Sequence, residues 1–343
     1  MSKQLNDRKA EHIQIVLEEQ VTGNTITTGL EHYHFIHNAL PELAFDDIQI
    51  EQAFFTKLCK TPFLISSMTG GANFAETINR NLALAAEQRG WALALGSTRA
   101  LIESEAYRQS FDLREYAPTI PIIANLGAVQ LNYGFSATEC RKIIDYTDAD
   151  ALVLHLNILQ EVIQPEGNTN FSSLLPKIEK LCTDLSIPVG IKEVGWGIDR
   201  STAEKLLEVG ISFIDVAGAG GTSWSQVERF RTDPVKQQAA AAFSEWGIPT
   251  ASSVELVKPT MDEKILIASG GLHTGVDAAK CFALGADFVG FGRSILEEAT
   301  VSVESVLQTM EIRELELRMA MFAVGAQNLT ELQQTERLQK TTP

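Results

Sequence analysis

The residues most able to do chemistry are crowded into the run His155-Leu156-Asn157-Ile158-Leu159-Gln160-Glu161, followed closely by Gln164-Pro165-Glu166-Gly167-Asn168. On an extended strand every second side chain shares a face, so His155 and Asn157 project together. A carboxylate grouped with amides and an imidazole suits Mg²⁺ beside a bound diphosphate. That ion takes one or two protein carboxylates, keeps several waters and draws its remaining oxygens from phosphate. Glu166 and Asn168 read equally well as a solvated polar loop, and His155 alone as a satisfied core histidine.

A second set of groups points to a phosphate. Residues 268–293 read ASGGLHTGVDAAKCFALGADFVGFGR: a strand, a glycine turn, a helix and a second strand ending in Gly290, Gly292 and Arg293. Backbone N–H groups after the last two strands of a parallel barrel, helped by a short helix, bind phosphate in this way. Two further doublets, Gly70-Gly71 and Gly220-Gly221, follow apolar runs. Taken singly each would be a tight turn; together they mark one ligand face. Ser67-Met68-Thr69, Asn125 and Lys192-Glu193 end other runs and add hydroxyl, amide and ammonium groups to the same mouth. Lys192 beside a phosphate grip suits flavin mononucleotide, whose reduced ring is anionic, although a lysine at a strand end also serves as a plain ion-pair partner.

Positioning these groups requires parallel strands buried on both faces. About eight near-continuous apolar runs occur, at 62–68, 91–95, 120–125, 151–156, 187–193, 211–217, 264–269 and 286–291. Such runs are the mark of strands covered by helices. Amphipathic stretches at 76–89, 137–147, 172–184, 200–209 and 275–284 separate them as crossover helices. A doubly wound open sheet alternates in the same way, but the count favours an α/β TIM (β/α)8 barrel with an N-terminal extension. The expected division is an arm at 1–60 that contributes basic residues, then a barrel at 61–343 with a long 225–262 loop. A last helix near 303–323 is expected across the barrel base or against another subunit.

The chain of 343 residues carries 44 acidic and 28 basic side chains, for a net charge of -16. That balance disfavours nucleic acid and anionic membranes as partners and requires any anionic ligand to be held by a local site. Cys59, Cys140, Cys182 and Cys281 form no C-x-x-C pair, which argues against a zinc or disulfide framework. The charged N-terminus lacks a signal-peptide core and no run reaches the length of a membrane span, so a cytoplasmic location is expected.

An ordered set of motifs carries a resemblance: R-K-x-E-H at 8–12, S-M-T-G-G, G-S-x-R at 96–99, H-L-N-x-x-Q-E-x-x-Q-P-E-G, I-K-E-V-G and A-G-x-G-G-T-S-W at 217–224. Across essentially the whole chain it resembles type 2 isopentenyl-diphosphate isomerase, a family of barrel flavoproteins. The resemblance implies reduced FMN, NADPH as reductant and Mg²⁺, a prenyl diphosphate substrate and a homo-oligomer. It places Arg8, Lys9, Ser97, Thr98 and Arg99 on the substrate diphosphate, with His155 and Asn157 lining that pocket. Glu161 would hold Mg²⁺ and Gln160 would face the alkene as the catalytic residue. Ser67, Met68, Thr69, Ser97, Asn125, Lys192, Thr222, Gly271, Leu272, His273, Gly292 and Arg293 would bind FMN, and Trp224 and Glu228 would close over the prenyl tail. The pattern departs at Thr98, where the family has Gln, and at Gly292-Arg293, which is closer to FMN-dependent α-hydroxy-acid oxidases.

Three rivals are distinguishable. An FMN-dependent α-hydroxy-acid oxidase or dehydrogenase needs a His base and an Arg after the lysine strand, where this chain has K-E-V-G-W-G-I-D-R-S-T and no His. A nucleotide dehydrogenase needs a Cys after strand six, where Gly220-Gly221 is followed by Thr222. A non-catalytic flavin-binding protein has no use for the Gln160-Glu161 pair and a basic arm.

Overall fold

The computed structural model describes residues 11–68 and 73–341. Eight parallel strands close on themselves: β4 (Phe63–Ile65), β5 (Ala92–Ala94), β6 (Ile122–Gly127), β7 (Ala151–His155), β8 (Val189–Lys192), β9 (Phe213–Asp215), β10 (Ile265–Ser269) and β11 (Phe288–Phe291), with β11 returning to β4. Seven lie inside the apolar runs, and β6 starts in the 120–125 run and continues two residues past it to Gly127. The crossover helices α2 (Asn73–Arg89), α4 (Ala137–Thr147), α6 (Leu174–Asp184), α7 (Arg200–Glu208) and α11 (Gly275–Ala283) fall where amphipathic spacing places them. Their ends are chemically set: Ser136 and Glu139 form a capping box at the start of α4, and Thr274 and Asp277 do the same for α11.

Parallel register fixes which side chains share a level at the carboxyl rim. Gly127 on β6 pairs with His155 on β7, His155 with Lys192 on β8, and Lys192 with Asp215 on β9. Four consecutive strands thus end in a row of residues chosen for chemistry rather than for packing.

The opposite end is sealed by a hairpin from the N-terminal arm, β2 (Gln52–Phe54) with β3 (Lys57–Cys59). Phe54 enters the barrel interior and meets Phe213 and Phe288 edge to face at 5.6 and 5.3 Å. Room for these rings comes from Ala92, Ala94 and Ala151 in the same interior cluster and from Gly190, where a Cβ would stand 2.3 Å from the Phe213 ring. Lys57 Nζ then bonds Asp150 and the Ile120 carbonyl, just ahead of β7 and β6. A second pairing ties β1 (Tyr33–Phe35) to β12 (Leu338–Lys340), joining arm and C-terminal segment.

Two expectations need correction. The 225–262 segment is not a loop: it holds α8 (Trp224–Arg229), α9 (Pro234–Ala241) and α10 (Thr250–Val257). Asp233 caps α9 through the Val235 and Lys236 N–H groups with Pro234 in its first turn, and α10 is the crossover helix from β9 to β10. The helix expected near 303–323, α13 (Val303–Val324), is followed by a short helix at Leu329–Gln333 and does not cross the base. It lies in the outer ring between α2 and α11, where Glu314 bonds Arg89 Nε at 3.1 Å and Trp91 Nε1 at 2.7 Å.

Because Phe54 is fully packed inside the barrel, Phe54→Ala should cost about 3–5 kcal/mol. Leu58→Ala, on the same hairpin but exposed, should change stability by less than about 0.5 kcal/mol. Urea unfolding of the two variants checks this, and equal midpoints would show that the hairpin does not seal the barrel.

Candidate active site

A cavity of about 510 Å³ opens at the carboxyl rim. One wall comes from the tail of β7. His155 Nδ1 lies 2.7 Å from Asn125 Oδ1, an acceptor that selects the Nδ1–H tautomer. Helix α5 (Ile158–Ile163) starts immediately, so Gln160 and Glu161 rise into the cavity one after the other. Asn157 Nδ2 donates to Gln160 Oε1 at 3.1 Å and to Glu161 Oε1 at 3.0 Å, while Gln164 Nε2 and the Asn168 N–H reach Glu161 Oε2 at 2.7 and 2.5 Å. Asn157 Oδ1 is buried with no hydrogen-bond partner among the described residues. An all-oxygen set with one carboxylate fits a hydrated Mg²⁺ completed by a diphosphate, and no group of three His, Cys, Asp or Glu suited to a metal occurs among the described residues.

Gln160 is held from its other end by Glu228, whose Oε1 accepts from Gln160 Nε2 at 3.0 Å. Glu228 is wholly buried, which alone would raise its pKa. The hydrogen bond and charge of His12 at 2.9 Å, the Arg231 guanidinium at 2.6 Å and the Gln160 amide outweigh burial and hold it at about 2. His12 belongs to α1, helical over residues 11–18, and packs edge to face on Trp224 at 5.2 Å. The arm reaches this position because the Ser223 N–H donates to the Val21 carbonyl and Thr22 bridges Thr222.

The other walls collect the groups expected around a flavin. Ser67, Met68, Asn125, Lys192, Thr222, Gly271, Leu272, His273, Gly292 and Arg293 all line the cavity, as do Ser97, Arg99 and Trp224. The Ser67 and Thr222 hydroxyls are buried with no hydrogen-bond partner among the described residues, as expected of groups awaiting a polar ligand. Arg293 has no carboxylate partner among the described residues, which leaves its guanidinium to a phosphate, and burial, which lowers its pKa, would favour such an anion beside it. Gly270 and Gly271 have φ of 106° and 71°, and a Cβ on either would meet the Gly218 or Gly220 backbone at 2.1 or 2.6 Å. The doublets therefore interlock backbone to backbone and leave their open side to the cavity. These residues fit an FMN.

Lys192 Nζ bonds the Glu193 carbonyl at 2.6 Å and stands 4.0 Å from Asp215 Oδ2. Burial raises the pKa of Asp215, against Lys192 and the Ser269 hydroxyl at 2.6 Å. Burial likewise raises Glu193 to about 7, although its carboxylate accepts the N–H groups of Val194, Gly195 and Trp196 at 2.6 to 2.8 Å.

One expected site residue is not brought to the cavity wall. Thr98 does not line the cavity: it is fully buried, and its hydroxyl donates to the Asn125 carbonyl at 2.6 Å, clamping the turn after β5 onto β6. Asn168 is no solvated loop residue, since its Oδ1 accepts from Arg99 at 3.3 Å and Gln130 at 3.1 Å. Arg8, Lys9 and Thr69 lie outside the described residues. Gln130, Gln164 and Arg231 are site residues that no motif singled out for a role. Gln130 reaches the rim from the connection after β6 and Arg231 reaches Glu228 from just beyond α8, so their spacing carries no signal, whereas Gln164 ends α5 itself and stands in the strand-four run.

Comparison with known proteins agrees with this geometry. Residues 146–340 match the model of the FMN-dependent dehydrogenase family. A flavocytochrome b2 structure superposes with a TM-score of 0.70 at 16% identity, covering 96% of this chain and 82% of its own. A lactate oxidase from Pediococcus acidilactici gives 0.69 at 14% identity over 100% and 95%. The fold and cavity thus define an FMN-dependent (β/α)8 enzyme. Proteins named isopentenyl-diphosphate delta-isomerase match far more closely in sequence, at 56% identity in Oceanobacillus iheyensis over 98% of this chain and 97% of that one, and at 44% in Rickettsia akari over 96% of each. The chain belongs to the isopentenyl-diphosphate delta-isomerase family and is an isomerase on the FMN-dependent dehydrogenase barrel.

The Glu228 carboxylate gives a test by pH. Its folded pKa lies below the unfolded value, so its stabilisation is present above about pH 4.5 and is lost as pH falls towards 2. Urea midpoints of the parent and Glu228→Gln should therefore differ most above about pH 5 and converge only as pH falls to about 2. A gap that stays constant over that range would show that Glu228 is not the buried anion.

Proposed function

We propose that the chain interconverts isopentenyl diphosphate and dimethylallyl diphosphate by moving protons at reduced FMN, with Mg²⁺ bound at Glu161 and NADPH as the reductant. The observation that carries this reading is the placement of Asn157, Gln160 and Glu161 on one wall of a flavin-type cavity. Reduced FMN, when bound, supplies a proton donor and acceptor beside the alkene.

The chain's own residues supply the rest. Protonating an isolated alkene generates carbocation character, which demands an oriented acid and exclusion of water. Gln160 serves the first need by orientation, its neutral amide being no acid: with Oε1 fixed by Asn157 and Nε2 by Glu228, it cannot rotate and presents a constant edge to the cavity. Trp224 and His12 meet the second by covering the mouth with two rings packed edge to face. Lys192 places positive charge where an anionic ring would need it, and Arg293 with the glycine doublets addresses the cofactor phosphate. Arg99 and a Glu161-bound cation anchor the diphosphate remotely from the alkene, and Arg8 and Lys9 extend the same anchoring. Association of copies belongs to the same proposal, supported by the exposed apolar stripe Ile312, Leu315 and Met319 along α13.

Incubated with isopentenyl diphosphate, Mg²⁺, FMN and NADPH under reducing conditions, the purified protein should form dimethylallyl diphosphate and should not oxidise lactate. Absence of the isomer would sink the reading, whereas lactate oxidation would favour the hydroxy-acid oxidases. Gln160→Asn, which withdraws the amide by one methylene, should lower kcat at least ~100-fold with little change in KM. Full turnover in that variant would remove Gln160 from the chemistry. Glu161→Gln should raise the Mg²⁺ concentration for half-maximal rate at least ~10-fold, measured by metal titration, because a charged ligand is lost.

A further inference from the structure

Between α5 and α6 the chain doubles back across the rim in a turn that only glycine permits. A Cβ on Gly167 would lie 1.7 Å from the Glu161 carbonyl oxygen, so the backbone passes directly over the end of α5. That close approach brings the Asn168 N–H to 2.5 Å from Glu161 Oε2. On one side Glu166 is tied to Arg231 at 3.3 Å; on the other, Asn168 Oδ1 accepts from Arg99 Nη1 and Gln130 Nε2. Arg99 opens α3 (Arg99–Glu103) after β5, Gln130 lies in the connection after β6, and Glu161 follows β7. A single residue therefore joins three consecutive strand-to-helix connections. Asn168 is not itself part of the cavity wall, but all three of its partners are.

We propose that Asn168 is a positioning residue that sets the spacing between Arg99 and Glu161, so that a guanidinium and a cation-holding carboxylate address one diphosphate. This rests on the isomerase reading of the cavity. Arg99 Nε is committed to Glu103 at 2.5 Å, and Asn168 takes Nη1. The guanidinium plane is then fixed at two edges, and among the described residues Nη2 has no hydrogen-bond partner and is left to meet a ligand. With an apolar side chain at 168, only the Glu103 pair would orient Arg99. Both of those side chains are about a third exposed, and such a pair contributes little and leaves the arginine its rotamer freedom. Gln130 would lose its acceptor in the same change. The Asn168 N–H to Glu161 is a backbone bond and would survive it.

The test uses the FMN-loaded protein with inorganic pyrophosphate and Mg²⁺ as the probe, followed by calorimetry. Asn168→Ala should weaken pyrophosphate binding about 10-fold, the scale expected for losing a hydrogen bond to a charged group. Asn168→Asp keeps an acceptor oxygen and should bind within about 3-fold of the parent. With isopentenyl diphosphate, Asn168→Ala should raise KM with kcat nearly unchanged, because the alkene and Gln160 are untouched. FMN affinity, read from flavin fluorescence, should be the same in all three proteins. Parent-like pyrophosphate binding by Asn168→Ala would overturn the proposal, as would an equal loss of FMN affinity, which would mark a general collapse of the rim. Failure of the parent itself to bind Mg²⁺ and pyrophosphate would instead overturn the diphosphate reading beneath it.

Discussion

Register in a parallel barrel leaves no freedom of degree: sliding a strand by one residue exchanges its inner and outer faces. Here that constraint governs the site directly. His155, Lys192 and Asp215 occupy paired positions on β7, β8 and β9, and the backbone carbonyl of Lys192 accepts the Leu156 N–H at 2.7 Å. The strands are only three to six residues long, so register must be enforced by what fills the barrel. Phe54, Phe213 and Phe288 do this, because three interlocked rings fit the space left by Gly190 and the small alanines in one arrangement.

Given that frame, electrostatics at the mouth follows from burial. A chain with net charge -16 nevertheless presents Arg99, Lys192 and Arg293 to one cavity. Its buried anions are each satisfied locally: Glu228 by His12, Arg231 and Gln160, Glu193 by three backbone N–H groups, Asp215 by Lys192 and Ser269. Of these three, only Glu228 has enough charge around it to overcome desolvation. The carboxylate that orients Gln160 is thus the most firmly ionised of the three.

Much of this was readable from the amino-acid order, for a physical reason. Strands buried on both faces must be apolar throughout, so all eight stand out, and helices that cover them must be amphipathic. The residues at strand ends were legible because polar side chains there have no packing role. What escaped was structure without its own periodicity. The hairpin at 52–59 has strands of three residues, and α8 and α9 are six and eight residues long, held by packing rather than propensity. Thr98 and Asn168 show the limit from both sides: a hydroxyl in a substrate motif is spent on a backbone carbonyl, while an amide in an apparently solvated loop joins three connections.

The plug at the amino end makes the barrel a vessel with a single mouth. In such a vessel traffic is sequential: whatever sits deeper enters first and leaves last, and its escape waits on the vacancy of the layer above. Helix α1 and Trp224 stand at that mouth, so a change in the arm, remote from any reacting bond, sets the residence time of everything beneath it.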